Sequence, residues 1–98
     1  MYNHSNVAAS SSGVAEVKQL PQSGDRIQVT CRNISVGTGT VTVTVRPGGA
    51  QGNANYQSIT DGTIDLTAPI GFVLEGKFNA IKATSSSGSD VYELEVLS

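Results

Sequence analysis

The chain has 98 residues, 38% of them apolar and 14% charged, with one cysteine and a net charge of −2. That length holds one domain with one core, the single Cys31 excludes an intrachain disulfide, and no apolar run approaches the roughly 20 residues a membrane helix needs. The six cations, Lys18, Arg26, Arg32, Arg46, Lys77 and Lys82, are scattered rather than gathered in a stripe, which argues against nucleic acid as a partner.

Residues 1–13 are small and polar and close with Ser10-Ser11-Ser12-Gly13. They read as a flexible N-terminal arm, available to order against a neighbouring subunit. The arm has neither the basic nor the apolar region of a secretory signal, so synthesis in a cytoplasm is expected. The β domain is expected over 14–98. Val14 to Leu20 is a first strand with Ala15 and Val17 on one side, followed by a turn over Pro21-Gln22-Ser23-Gly24-Asp25. Arg26 to Asn33 alternates cleanly, with Ile27, Val29 and Cys31 facing in. Cys31 therefore reads as a small buried hydrophobe rather than a reactive thiol.

Gly39-Thr40-Val41-Thr42-Val43-Thr44-Val45-Arg46-Pro47 is the most legible stretch. Its valines line one face and its threonines the other, and both residue types are β-branched. The Gly37-Thr38-Gly39 connection predicts that this strand pairs antiparallel with Arg26–Asn33. The loop Gly48–Asn55 is rich in glycine and is longer than an ordinary hairpin loop. Tyr56–Ile59 and Thr63–Leu66 are short strands separated by an Asp61-Gly62 turn. Pro69 interrupts the pattern, then Ile70, Phe72 and Leu74 share one phase. Gly76 leads into Lys77–Thr84, where a bulge near Asn79-Ala80 would place Phe78, Ile81 and Ala83 on one face. A polar loop over Ser85–Ser89 precedes the closing strand, where Tyr92, Leu94 and Val96 alternate with Glu93 and Glu95. Those two glutamates would add charge to an edge strand. The expected fold is all-β, a single antiparallel sandwich of seven or eight short strands, with a jelly-roll order among its options.

Chemistry-bearing groups are sparse. His4, the only histidine, lies in the arm, so no Ser-His-Asp or Cys-His arrangement is built around it. Asp61, Asp65 and Asp90 could offer oxygen ligands to calcium, but Asp61 is more simply a turn residue. Tyr56, beside the glycine-rich loop, could offer a stacking ring to a sugar, although packing at the rim suits it better. No catalytic, cofactor-binding or metal-binding residue is assigned, and no cofactor is expected.

Residues 37–96 resemble small β-rich proteins of tailed bacteriophages. The resemblance rests on the 39–47 stretch, on Asp61-Gly62-Thr63-Ile64-Asp65-Leu66-Thr67-Ala68-Pro69-Ile70, on Glu75-Gly76-Lys77-Phe78-Asn79-Ala80-Ile81-Lys82-Ala83-Thr84 and on Tyr92-Glu93-Leu94-Glu95-Val96. It implies a non-enzymatic structural or accessory subunit of decoration, head-fibre or tail-accessory type. Such a subunit would be located in the virion after synthesis in the host cytoplasm. Its partners would be copies of itself, with a trimer as one arrangement, and other proteins of the capsid or tail, but neither nucleic acid nor membrane. In that picture residues 1–13 attach or thread between subunits while the loops at 48–55 and 85–89 face outward. The alternative is a carbohydrate- or cell-surface-binding sandwich.

Overall fold

The computed structural model describes residues 3–33, 38–48, 55–68 and 71–98. The glycine-rich loop over 49–54, the Pro69-Ile70 break and most of the 34–39 connection lie outside the described residues. Eight strands follow in chain order: β1 (Ser5–Ala9), β2 (Val14–Val17), β3 (Arg26–Asn33), β4 (Thr40–Pro47), β5 (Gln57–Asp65), β6 (Phe72–Glu75), β7 (Phe78–Ser85) and β8 (Tyr92–Leu97). No α-helix is found among the described residues.

The pairing is nested. β1 lies against β8, β2 against β7, β3 against β6 and β4 against β5, all antiparallel. The chain is thus one long ribbon that runs out through four strands and returns through the next four. Rolling the ribbon brings β8 beside β3 and β7 beside β4. The result is two four-stranded sheets, sheet A in the order β1-β8-β3-β6 and sheet B in the order β2-β7-β4-β5. This is the strand order of a jelly roll.

The core lies between the sheets. Ile27, Val29, Cys31, Leu94 and Val96 from sheet A meet Val41, Val43, Val45, Ile64, Ile81 and Ala83 from sheet B, all buried. Tyr92 joins them with its ring fully buried, and its hydroxyl shares its donation between the carbonyls of Gly13 and Ala83, at 2.8 and 3.0 Å. A buried phenol needs such partners, and these two tie sheet A to the β2–β7 side of sheet B.

Several expectations need correction. β3 and β4 do not form a hairpin; they lie in opposite sheets. Each has one apolar face, and the two faces bury each other across the core, where side-by-side pairing would have left them facing the same way. The arm expected over 1–13 contains β1, whose residues 5–9 are hydrogen-bonded to β8 along its length. Its order comes from a backbone ladder, which needs little apolar patterning. β8, expected at an edge, is central in sheet A, flanked by β1 and β3. Glu93 faces outward there and pairs with Arg32 of β3. Asp61-Gly62 does not turn the chain. It sits within a single strand, β5, where residues 59–62 stand opposite Val43 alone, since Thr42 faces Thr63 and Thr44 faces Ser58. The bulge expected at Asn79 is present: Arg46 faces Ala80 and Pro47 faces Phe78, which turns Phe78, Ile81 and Ala83 toward the core.

Candidate functional site

An open sheet carries two edges, and an unprotected edge is a template for another strand. Sheet A ends in β1 and β6, and sheet B in β2 and β5. Three of these edges are guarded. β5 is broken by the 59–62 bulge, where Asp61 holds a left-handed backbone conformation (φ 57°) and exposes its side chain. β6 is four residues long, and its Glu75 pairs with Arg26 at 3.1 Å. β2 is equally short and carries Glu16, which accepts a hydrogen bond from the Tyr56 hydroxyl at 2.6 Å. β1 is different: Ser5-Asn6-Val7-Ala8-Ala9 has no charge, no proline and no bulge, and Val7 at its centre is 49% exposed. Among the described strands it is the one edge without a charged side chain.

Tyr56 is half-buried on the outer side of sheet B. Lys82 lies over its ring with Nζ 4.5 Å from the centroid, and the Arg46 guanidinium lies 5.6 Å away. Burial, followed by the hydrogen bond to Glu16 and its charge, pushes the phenol up to about 12, so it stays a donor. A sugar stacking here would have to displace a cation already held by the ring. The arrangement is that of packing at the rim.

Asp90 organises the opposite end, where β4 and β8 start. It is 4% exposed; one carboxylate oxygen accepts from the Thr38 amide at 3.2 Å and the other from the Ser85 hydroxyl. Ser86 Oγ accepts from the Thr40 amide beside it. Asp90 thus has an internal role, while Asp65, at the same end, is held by the Thr67 amide and hydroxyl, and Asp61 lies in the β5 bulge. No three His, Cys, Asp or Glu side chains among the described residues gather in a metal-holding group. His4 is exposed, with its backbone paired to Ser98. Cys31 is fully buried, and burial pushes its thiol up to about 12.

The β1 edge escaped sequence reading because its alternation is of small residues. The signal that could have found it is negative: five residues free of charge and proline next to a glycine turn.

No family model matches the chain, and no characterised protein matches it by sequence. Its fold is similar to that of a chain from the structure of Bacillus endospore appendages, described as a family of disulfide-linked pili. The superposition has a TM-score of 0.57 at 16% identity and covers 96% of this chain and 80% of that one. The likeness is one of fold, an all-β antiparallel sandwich over nearly the whole of residues 1–98.

Proposed function

We propose that the chain is a non-enzymatic structural subunit that acts by assembling with copies of itself through the β1 edge. The observation that carries this reading is the uncharged, uninterrupted β1 with Val7 exposed, in a fold that guards its other edges. A second copy adding a strand there would satisfy the outer backbone groups of β1 and cover Val7. The fold shared with a pilus subunit supports the same reading. Disulfide linkage does not carry over: Cys31 is the only cysteine and lies sealed in the core with its thiol protonated, so assembly here is non-covalent.

The setting we propose is the virion of a tailed bacteriophage, on the strength of the resemblance over 37–96. Mass spectrometry of purified particles tests it, and absence of the chain from them would remove the virion but not the assembly. Light scattering tests the assembly itself. The wild-type chain is expected to form oligomers and Val7→Lys smaller species, since a lysine at the centre of an edge blocks strand addition. A wild-type chain that stays monomeric at every concentration would overturn the reading.

A further inference from the structure

At the end of the sandwich where β1 starts and β2 and β4 stop, a cavity of about 700 Å³ opens to solvent. Its lining includes Lys18, Arg46, Asn6 and Gln19, residues whose side chains carry donors, beside the buried Leu20. Among the described residues, no acidic side chain lines it. The Asn6 Nδ2 is buried and has no hydrogen-bond partner among the described residues, and a buried donor left unmet costs on the order of 1–3 kcal/mol. Arg46 is fixed in place, its Nε donating to Asn79 Oδ1 at 2.6 Å and its Nη2 to the Lys18 carbonyl at 3.2 Å. Neither Lys18 nor Arg46 belongs to any of the ion pairs among the described residues, which join Arg26 to Glu75, Arg32 to Glu93 and Lys77 to Asp25. A preplaced guanidinium, a free ammonium and an unmet amide donor around one opening match an anionic oxygen group.

We infer that this cavity receives a carboxylate, and that its occupant is the Asp65 turn of a second copy of the chain. The inference rests on the assembly reading, and of the residues it uses only Asn6 belongs to β1. Charge complementarity names the occupant. The cavity end, with the Tyr56 cluster beside it, gathers Lys18, Arg26, Arg46, Lys77 and Lys82 against Glu16, Asp25 and Glu75, a surplus of two positive charges. The opposite end gathers Asp65, Asp90 and Glu93 against Arg32, a surplus of two negative charges. Asp90 is buried and engaged, and Glu93 is paired, which leaves Asp65 as the exposed anion at that end. Its Oδ1 accepts from the Thr67 amide at 2.9 Å and the Thr67 hydroxyl at 2.8 Å, while Oδ2 has no partner among the described residues. Those two bonds hold the carboxyl below its ordinary value, so it remains ionised into mild acid. Docking one end onto the other uses two different patches, so the contact is head-to-tail and repeats from copy to copy, into a ring where the rotation closes and a filament where it does not.

The Val7→Lys protein, its edge blocked, isolates this contact. At low salt it is expected to associate with rising concentration in light scattering, and to become monomeric at high salt. Lys18→Glu and Asp65→Asn, each added to Val7→Lys, are expected to abolish that association; asparagine keeps the acceptor for Thr67 and removes only the charge. Asp65→Lys should do the same, and an equal mixture of the Lys18→Glu and Asp65→Lys proteins should restore it, because each supplies the patch the other has reversed. Association that survives these substitutions overturns the inference. So does a Val7→Lys protein that is monomeric throughout, and in that case an oligomeric wild type shows that the edge reading stands alone. Titration with acetate, followed by NMR at the Asn6 side-chain amide, separates the two parts. A monomer whose amide shifts has a cavity for a free carboxylate, which overturns the second copy as occupant. A monomer with no shift overturns the carboxylate as well.

Discussion

Gly39 has no side chain because Asp90 occupies the space. A Cβ at that position would run into the Asp90 carboxylate and come within 2.6 Å of Ser86 Oγ. Gly39→Ala is therefore expected to lower the unfolding free energy by about 1–3 kcal/mol in urea titrations, the usual cost of overpacking. Asp90→Ala should cost a similar amount, about 1–3 kcal/mol, because it strands the Thr38 amide and the Ser85 hydroxyl. Cys31 makes a prediction in pH. Its thiol has an ordinary value of 9.0 and is pushed up to about 12 by burial. Between those values the unfolded chain releases this proton and the folded chain keeps it, so stability is intact below about pH 9 and falls as pH rises further. Cys31→Ala should shift the whole curve down through lost packing and flatten its alkaline slope by one proton. An unchanged slope in that variant would assign the alkaline loss to other groups.

At the scale of the strand, what was legible followed from alternation. β3 and β4 were readable to within a residue because Ile27, Val29 and Cys31, and Val41, Val43 and Val45, alternate with polar neighbours. The Asn79 bulge was readable because Phe78 and Ile81 fall out of phase. Partners were not readable: an apolar face tells a strand to bury itself, and β3 and β4 obey by facing each other across the core. Asp61-Gly62 misled for a related reason. A left-handed residue followed by glycine suits a turn and a bulge equally, and the choice is made by contacts far along the chain. Gly62 is packed there, with a Cβ placed 2.9 Å from Ile59 Cβ and 3.2 Å from the Val43 carbonyl. Gly62→Ala is expected to destabilise by about 1–3 kcal/mol and to flatten the bulge that guards the β5 edge, so aggregation on heating should increase as well. The cavity was beyond sequence reading altogether, since Asn6, Lys18, Arg46 and Asn79 come from four separate segments and share no spacing.

At the scale of the molecule, nesting makes the first strand depend on the last. Pairing β1 with β8 closes nearly the whole chain into one loop, a non-local contact of the kind that slows folding into the millisecond-to-second range. Stopped-flow refolding should show it. Removing residues 3–9 is expected to lower Tm by roughly 5–10 °C, the shift that about 1–2 kcal/mol produces in a domain this small, and to leave β8 as a new, open edge. Nesting also sets how the subunit bears force. The Asn3 and His4 amides both donate to the Ser98 carbonyl, so the first and last described strands meet at one end of the sandwich. A pull applied at residues 3 and 98 acts on the same end of the β1·β8 ladder and opens it like a zip, each hydrogen bond taking the whole load in turn. Tension passed from one end of the sandwich to the other runs along the strands and loads the ladders in shear, so their bonds share it. The same fold is weak when tugged by its own ends and tough when stretched as a link in a chain.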